Sequence, residues 1–474
     1  MLSAPSLRAT ITAAILVALT VFVIGMYSIE ERVPVYDEHF YLETAINLAE
    51  HGIYGLRDPA SGVLTPSGIG VPLYPAMVAA VMTADVRFKR AASCVLDPNR
   101  DKRDCGPGFL RLFVVQLALM SVLMGVLCAW LGSLFGSLTT GAGTVLLIGA
   151  SGAPAYFSGF VLTEALYLPL AMLATVAWAR AIVPGSAVWS IVCAVLFALA
   201  TLSRPTFYYV FLAMLPLVVI WMGFATRSWL RGLGLTVLML AVFASTVGGW
   251  VWRNAQQFDR ASISVGYGGR AFASRLAYND MTAAEYRAGW IYWLPDFGDK
   301  LAKAWFGEAQ VALLDLGNPD GYYLAGTARV GRAAEDATGF NPNTFKSTRQ
   351  DPALSWMLRQ ALVEQPLRHA AVSALLAWRG VFVQKYFGLV GLLGLLGCLV
   401  FLRDQTQRRL LTLLLIPPTL LLAFNAGVSL NIPRYNLLML LPMSVPMALF
   451  LRSMGMAVWQ RAKATQPAKA TQPA

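Results

Sequence analysis

The stretch ATITAAILVALTVFVIGMY, residues 9–27, contains no charged side chain over 19 consecutive positions. About 20 predominantly apolar residues in a helix are enough to cross the hydrocarbon core of a bilayer. A cleaved signal peptide is the alternative, but the length of the apolar run and the lack of a small-x-small cleavage site favour a retained anchor. We therefore predict a first transmembrane helix within residues 1–27, with its N-terminus in the cytoplasm because Arg8 precedes it.

Apolar runs like this one recur through most of the 474 residues. Hydrophobic residues make up 57% of the chain and charged residues only 13%, whereas a soluble domain carries about a quarter charged residues. This composition excludes a soluble globule as well as a disordered or fibrous chain. We expect an all-α polytopic membrane protein with about ten transmembrane helices. Beyond the first, the predicted spans are 110–132, 142–157, 165–181, 188–202, 207–224, 230–251, 389–402, 410–428 and 437–451.

Basic residues near the ends of the predicted spans indicate the orientation of the chain. Lysine and arginine are enriched in short cytoplasmic loops, so we assign 403–409 and 452–463 to the cytoplasm and the two long polar regions to the outside. A net charge of +12 on such a chain favours anionic lipids or phosphate ligands over nucleic acid. The expected units after the first helix are an outer loop at 28–108, a transmembrane core at 109–251, a second outer loop at 252–385, C-terminal spans at 386–452 and a disordered cytoplasmic tail at 453–474.

The outer loops carry three structural expectations. Residues 71–84 are apolar but few and include two prolines, which favours a re-entrant or interfacial helix over a span. Cys94 and Cys105 flank a polar run without a nearby zinc ligand set, which favours a disulfide in an oxidising compartment. Helical periodicity over 354–384, broken at Gln365-Pro366, predicts two amphipathic helices on the outer membrane surface. The side chains expected to contact headgroups there are Arg368, His369, Arg379 and Lys385.

The segment VYDEHFY, residues 35–41, follows the first span and carries two adjacent carboxylates, Asp37 and Glu38. For such a pair alone, a solvated loop is the simpler interpretation. The surrounding aromatic residues and the Pro-rich apolar segment 65–75 favour a walled pocket in which a carboxylate acts as a base. Glu164 begins a predicted span on the same side, either as a second site residue or only as a first-turn acid favoured by the helix dipole.

Three arginines are expected at the same outer face: Arg204, Arg253 and Arg434. An arginine at the end of a span commonly extends to the lipid headgroups, and that is the default interpretation for each of them. A proline adjoins Arg204 and another adjoins Arg434, so a fixed backbone would direct each guanidinium toward a cavity. The planar guanidinium fork suits a phosphate or diphosphate ligand.

Taken in order along the chain, these short motifs resemble those of the GT-C glycosyltransferases. The resemblance is to the bacterial lipid-dependent sugar transferases related to protein O-mannosyltransferases and to the aminoarabinose transferase that modifies lipid A. It extends over most of residues 9–451 and rests on Tyr36-Asp37-Glu38, Pro72-Leu73-Tyr74-Pro75, Thr163-Glu164, Ser203-Arg204-Pro205, Trp252-Arg253-Asn254 and Pro433-Arg434-Tyr435. The loop between Cys94 and Cys105 and residues 270–351 depart from the pattern, which leaves the acceptor open.

The resemblance implies a GT-C fold in the bacterial inner (plasma) membrane and a reaction on its extracytoplasmic side. A sugar would pass from a polyprenyl-phosphate donor to lipopolysaccharide, another envelope glycan or a protein, with inversion at the anomeric carbon. Asp37 would act as the general base, while Glu38 and Glu164 would position groups or hold a divalent cation; no other cofactor and no nucleotide site is implied. The residues expected to bind the substrates are Arg204, Arg253, Arg434, Tyr36, Tyr74 and Tyr435.

Two other classes of function stay open for such a chain. A transporter of lipid-linked sugars would also be polytopic and basic, but it is expected to show internal repeats and ionisable residues at mid-span. The sequence has no two-fold repeat and almost no ionisable residue in the predicted spans. A non-catalytic membrane protein of envelope assembly is the other alternative, for which Asp37→Asn would leave the host pathway active.

Overall fold

The apolar runs of the sequence form helices in the computed structural model, which describes residues 6–58, 61–266, 268–343 and 352–464. The helices of the first half are α1 (Leu7–Ser28), α2 (Asp37–His51), α3 (Leu73–Ala84), α4 (Val86–Leu96), α5 (Leu110–Leu134), α6 (Leu138–Ala150), α7 (Ala153–Ser158), α8 (Glu164–Ile182), α9 (Ala187–Ser203), α10 (Thr206–Thr226) and α11 (Trp229–Phe258). Those of the second half are α12 (Gly268–Ala277), α13 (Ala283–Tyr292), α14 (Gly298–Phe306), α15 (Glu308–Ala312), α16 (Thr327–Thr338), α17 (Pro352–Arg359), α18 (Pro366–Val381), α19 (Tyr386–Phe401), α20 (Gln405–Val428) and α21 (Leu440–Ala464).

Short elements complete the described structure. Strands β1 (Gly55–Arg57) and β2 (Leu64–Pro66) pair antiparallel, with Gly55 opposite Pro66. Short 3-10 or π-helical segments are Lys102–Asp104, Tyr278–Asp280, Tyr322–Gly326, Gln360–Glu364 and Pro433–Met439. Since 78% of the structure is helical, the chain belongs to the all-α class.

Seven helices in the described part of the chain are long and apolar enough to cross a bilayer. They are α1, α5, α8, α10, α11, α20 and the continuous segment Pro433–Val458, which includes most of α21. Helices satisfy their own backbone hydrogen bonds, which is what a chain inside lipid requires. The protein is therefore a multi-pass, mainly helical membrane protein.

The sequence predicted about ten spans, and three of those positions hold shorter helices. α6 has 13 residues, α9 has 17 and α19 has 16. The predicted span 142–157 is interrupted at Gly152, whose φ of 78° lies in the left-handed region that favours glycine. Helices α18 and α19 meet at a bend of 108°. By length and composition, seven of the described helices are candidate spans, or eight if the bent pair counts as one, compared with about ten predicted from the sequence.

Helix α8 lies at the centre of the helical bundle. Along its apolar stretch 94% of the residues are buried, and it packs against α5, α9 and α20. A helix that is apolar on all sides needs neighbours on every side to bury its surface. Its first residue, Glu164, is thereby held in the interior although it carries a carboxyl group.

The first outer loop, predicted at 28–108, contains α2, the β1–β2 hairpin, α3 and α4. Helix α3 covers the segment expected to be re-entrant, and it buries Tyr74, Val78 and Met82. Helix α2 packs against both α3 and α4. Cys94 in α4 and Cys105 are joined by a disulfide with a Cα–Cα distance of 5.6 Å, so the pairing favoured by the sequence is present.

Residues 354–384 form α17, a π segment and α18, with a break at Gln365 as the sequence predicted. Two side chains expected to contact headgroups are instead buried, since His369 is 7% exposed and Arg379 is 6% exposed. Arg379 lies 3.4 Å from the carbonyl oxygen of Leu430, to which it donates. Helix α18 packs against α13 and α20, and this packing withdraws both side chains from the surface.

Arg275 links α12 to the end of α20. Its Nε donates to the carbonyl of Ala426 at 2.7 Å, its Nη1 to Asn279 at 2.9 Å and its Nη2 to the carbonyl of His369 at 2.8 Å. Burial lowers the pKa of the Arg275 guanidinium to about 9. The carbonyl end of a helix favours a cation, so this arginine holds α12 and α18 against the end of α20.

The C-terminal helix extends further than the sequence predicted. A disordered tail was expected at 453–474, but α21 continues to Ala464. The first proline beyond the last predicted span is Pro467, so no proline ends the helix before that point. Residues 465–474 of the expected tail lie outside the described residues.

Candidate active site

Four charged side chains that are far apart in the sequence meet at helix ends: Asp37, Glu164, Arg204 and Arg434. Asp37 is the first residue of α2, and Glu164 is the first residue of α8. Arg204 directly follows α9, and Arg434 lies in the 3-10 segment before α21. We call these four residues the charge cluster.

Glu164 is the buried centre of the charge cluster, with 1% of its side chain exposed. Its Oε1 lies 2.9 Å from Nη1 of Arg204 and 2.8 Å from Nε of Arg434. The contact with Arg204 is an aligned hydrogen bond, whereas the contact with Arg434 is an ion pair without that alignment. Two cations thus compensate for the cost of burying one carboxylate.

Asp37 is the exposed carboxylate of the charge cluster. Its side chain is 68% exposed, and its Oδ2 lies 3.3 Å from Nη2 of Arg434. The preceding residue, Tyr36, has a φ of 50°, which is unfavourable for a residue with a bulky side chain. Strained backbone of this kind clusters at functional sites, where the surrounding structure imposes it. The Tyr36 side chain is itself exposed, so it lies in solvent beside Asp37.

The two arginines of the charge cluster differ in exposure. Arg204 has 14% of its side chain exposed, and its guanidinium lies 4.8 Å from the ring centroid of Tyr167 and 5.0 Å from that of Tyr435. Such cation–π contacts fix the guanidinium in place. Arg434 is 32% exposed and bridges Asp37 and Glu164. Arg434 is therefore the guanidinium that an incoming anion reaches first.

Three buried asparagines shape the turn that carries Arg434. Asn425, near the end of α20, donates to Asn436 at 3.2 Å, and Asn436 donates to Asn431 at 2.7 Å. Gly380 in α18 passes so close that a Cβ there would lie 2.5 Å from Nδ2 of Asn431. The signal in the sequence is the group of asparagines, Asn425, Asn431 and Asn436, in an otherwise apolar segment.

Glu38 follows Asp37 in the chain but points into the protein, with 3% of its side chain exposed. Its Oε1 accepts a hydrogen bond from the backbone N–H of Val161 at 2.7 Å. Its Oε2 accepts from the backbone N–H of Val35 at 2.8 Å and from Nη2 of Arg32 at 2.5 Å. Both carboxylate oxygens are therefore engaged by donors away from the charge cluster.

The guanidinium of Arg32 also lies 3.7 Å from the ring centroid of Phe160. We call Arg32, Glu38, Phe160 and Val161 the buried junction. It joins the chain at the start of α2 to the chain before α8, and so it sets the distance between Asp37 and Glu164. Glu38 and Arg32 therefore act as positioning residues for the charge cluster. The sequence did not point to Arg32, because its partner Glu38 lies six positions away across a segment without regular secondary structure.

Tyr74 is also buried, and its hydroxyl donates to Oε1 of Gln116 at 2.7 Å. Gln116 in turn donates to two backbone carbonyls in the turn at 158–160, just before α8. Tyr74 therefore supports that turn and offers no open surface to a substrate. The ring of Tyr41 packs edge-on against it at 5.3 Å, and burial, followed by the charge of Glu164, raises the pKa of the Tyr41 phenol.

Arg253 makes its contacts outside the charge cluster. Its guanidinium donates to the carbonyl of Ser67 at 2.7 Å and to the carbonyl of Tyr54 at 3.0 Å. It also lies 4.8 Å from the ring centroid of Trp250. These contacts join the end of α11 to the chain on both sides of the β1–β2 hairpin. Arg253 therefore connects parts of the structure and does not face the charge cluster. The sequence could not distinguish this structural role from phosphate binding, because arginines of both kinds occur at the ends of spans.

The loop closed by the disulfide lies beside α2. Nζ of Lys102 is 3.4 Å from Nε2 of His39, and the same nitrogen of His39 is 3.0 Å from the carbonyl oxygen of Pro34. The loop therefore reaches α2 two residues from Asp37. The loop between Cys94 and Cys105, which departs from the GT-C motif pattern in the sequence, therefore borders the candidate site.

The donor set around the charge cluster suits an anion. Among the described residues no three His, Cys, Asp or Glu side chains are grouped closely enough to hold a metal ion. Because Glu38 and Glu164 are engaged by guanidinium and amide groups, they do not fit the divalent cation that the resemblance allowed.

No family model matches the chain, and no curated protein matches it. Chemically, the cluster can bind an anion through Arg434 and take up a proton at Asp37.

Proposed function

We propose that this protein is a GT-C-type glycosyltransferase that moves a sugar from a polyprenyl-phosphate donor to an acceptor hydroxyl outside a bacterial inner membrane. The observation that carries the proposal is the contact of 3.3 Å between Asp37 and Arg434. It sets an exposed carboxylate beside a guanidinium at the start of a membrane-spanning segment. A base next to a ligand for a lipid phosphate is the pair of groups that this reaction needs. The order of the sequence motifs supports the same reaction.

The bonds formed and broken assign a role to each charge. Asp37 takes the proton of the acceptor hydroxyl, and the hydroxyl oxygen attacks the anomeric carbon from the side opposite the phosphate. The new carbon–oxygen bond forms while the bond from the anomeric carbon to the phosphate oxygen breaks. The polyprenyl phosphate leaves with the electron pair, and the configuration inverts. Arg434 neutralises the phosphate as negative charge grows on the leaving oxygen.

Glu164 and Arg204 hold Arg434 in position for this step. Because Arg204 is stacked on two tyrosine rings and paired with Glu164, it anchors the carboxylate that binds Nε of Arg434. Tyr36, exposed beside Asp37, offers an aromatic ring against which a sugar can pack.

The charges at the opposite ends of the spans support an extracytoplasmic site. Helix α20 begins close to Arg408 and Arg409 and ends at the turn that carries Arg434. Helix α21 runs from that turn toward Arg452. Since arginines are enriched on the cytoplasmic side, the charge cluster is expected outside. The disulfide in the adjacent loop favours the same side, because disulfides persist in oxidising compartments.

Mass spectrometry of envelope glycans from cells with and without the protein tests the proposal. We expect a sugar to be lost from lipopolysaccharide, another glycan or a protein, which identifies the acceptor. Wild type should restore it, and Asp37→Asn at equal expression should not. Asp101→Asn is the matched control, since Asp101 is a half-exposed carboxylate of the disulfide loop that pairs only with nearby Arg103 among the described residues.

The same experiment separates the other two classes of function. Full restoration by Asp37→Asn would contradict the proposed reaction and favour a non-catalytic role in envelope assembly. An unmodified acceptor together with donor lipid accumulating on the cytoplasmic side would favour a transporter of lipid-linked sugars.

A further inference from the structure

We propose that the donor phosphate competes with Asp37 for Arg434, so that donor binding itself releases the base. This inference rests on the proposed function and adds an order to it. The donor binds first, and the acceptor hydroxyl is activated second. In the structure, the carboxylate and the guanidinium that the reaction requires are paired with each other.

The two carboxylates bridged by Arg434 depend on it to different degrees. Glu164 keeps Arg204 at 2.9 Å, and the hydroxyl of Thr163 lies 3.4 Å from its Oε2. For Asp37, Arg434 is the one cation within ion-pair distance among the described residues. Asp37 is 68% exposed, so water replaces that contact at little cost, whereas Glu164 is almost fully buried. An incoming anion therefore displaces Asp37 and leaves Glu164 paired.

The guanidinium of Arg434 can exchange partners without leaving the charge cluster. Its Nε faces Glu164 at 2.8 Å, and its Nη2 faces Asp37 at 3.3 Å. The second contact is longer than the roughly 2.7–2.9 Å of a strong charge-assisted hydrogen bond. A phosphate oxygen in place of the Asp37 carboxylate can make the shorter contact while Nε stays on Glu164. Because the side chain is already one-third exposed, the exchange requires no opening of the core.

The charge balance links this exchange to catalysis. The charge cluster holds two carboxylates and two guanidinium groups, so its charges balance. A bound phosphate adds negative charge, and one of the carboxylates then loses its guanidinium partner to the phosphate. A carboxylate freed from its cation accepts a proton more readily than a paired one. Asp37 therefore becomes an effective base when the donor is in place, and an acceptor is not activated at an empty site.

Equilibrium binding of farnesyl phosphate to the full-length protein in nanodiscs of zwitterionic lipid tests the competition. Asp37→Asn should bind the probe roughly three- to tenfold more tightly than wild type, because the ion pair to be broken and the repulsion between the two anions both disappear. Asp101→Asn removes a carboxylate from the neighbouring loop and should leave the affinity unchanged. An equal gain in Asp101→Asn would mean a general effect of net charge and would overturn the inference.

Inorganic phosphate is the second probe, since a lipid phosphate and a free phosphate share the chemistry that Arg434 recognises. A gain for both probes supports competition by any phosphate. A gain for farnesyl phosphate alone supports competition that needs the prenyl chain to deliver the phosphate.

A double-mutant cycle with Arg434→Gln isolates the contested group. In that background Asp37→Asn should give a clearly smaller gain than in the wild-type background, because the ion pair is already gone and only the repulsion between the two anions is left to remove. A full gain there would overturn the inference, since Asp37 would then act on the phosphate without Arg434. Equal binding by wild type and Asp37→Asn would overturn the inference alone, whereas no binding of farnesyl phosphate by wild type would overturn the proposed function as well. Thermal unfolding of each variant confirms that it is folded.

Discussion

The charge cluster and the buried junction each contain one of two neighbouring acidic residues, Asp37 and Glu38. In both regions a carboxylate is paired with a guanidinium. In the buried junction, Glu38 is 3% exposed, and its two oxygens accept hydrogen bonds from backbone amides and Arg32. In the charge cluster, Asp37 is 68% exposed and contacts Arg434 at 3.3 Å. The same pair of groups can therefore hold two segments together where it is enclosed, and can exchange ligands where it is open.

Asp37→Asn should produce the largest effect, on turnover and not on stability. We expect transfer to fall by about two to four orders of magnitude, because an amide of the same shape cannot accept the proton. The thermal unfolding temperature should stay close to that of wild type, since an ion pair with one exposed partner contributes little to stability. Transfer by purified protein in nanodiscs, with Asp101→Asn as the control, measures both. Near-normal turnover would remove Asp37 from the role of base.

Glu38→Gln should produce the opposite pattern, with lost stability and retained chemistry. The change leaves Arg32, whose side chain is 26% exposed, without its counter-ion, which should lower the free energy of unfolding by about 1–3 kcal/mol. Turnover per folded molecule should fall less than about tenfold, as a positioning role implies rather than a proton-transfer role. The control is Glu50→Gln in the same helix, which removes a partly exposed ion pair with Lys89. A stable Glu38→Gln protein with turnover as low as Asp37→Asn would contradict the division between the two regions.

Arg434→Lys and Arg253→Lys distinguish an arginine that binds the donor phosphate from an arginine that only stabilises the fold. Arg434→Lys should raise the donor KM about tenfold, because lysine keeps the charge and loses the bidentate fork. Arg253→Lys should lower the unfolding temperature and leave the donor KM unchanged, because its guanidinium serves two backbone carbonyls and an indole ring. Steady-state kinetics and thermal unfolding of the two variants check this. A raised donor KM in Arg253→Lys with none in Arg434→Lys would reverse the two roles.

Gly380→Ala should give the smallest effect and tests how firmly the Arg434 turn is held. The added methyl group would meet Asn431 at 2.5 Å, so the asparagine that supports the turn must move. We expect the donor KM to rise by about two- to fivefold with a stability loss of about 1–2 kcal/mol, as for overpacking in a core. Gly397→Ala is the control, because a Cβ at that glycine meets no atom within 4 Å. Unchanged donor KM in Gly380→Ala would show that the asparagines do not set the position of Arg434.

The members of the charge cluster could be proposed from the sequence, but their division of labour could not. Spans with few ionisable residues leave the charges at helix ends, and the orientation inferred from the basic loops placed Asp37, Glu164 and the arginines on one side. The difference between Asp37 and Glu38 arises from Val161, whose N–H binds Glu38 from 123 positions away. No local pattern at residues 35–41 contains that contact.

The fold shows the same limit. Apolar periodicity located the long helices, but it did not reveal the interruption at Gly152 or the bend between α18 and α19. Nor did it reveal that Arg275 and Arg379 are buried. Both side chains donate to backbone carbonyls of the segment 426–430. A carbonyl partner has no signature in the sequence, whereas a carboxylate partner does.

An experimental structure with a polyprenyl monophosphate bound tests the central claim most directly, namely that Arg434 holds the phosphate beside Asp37. We expect a phosphate oxygen within roughly 2.7–3.2 Å of the Arg434 guanidinium. We also expect the contact of 3.3 Å between Asp37 and Arg434 to be broken and the contact between Glu164 and Arg434 to be kept. A phosphate held by another basic residue such as Arg253, with Arg434 still paired to Asp37, would contradict that claim.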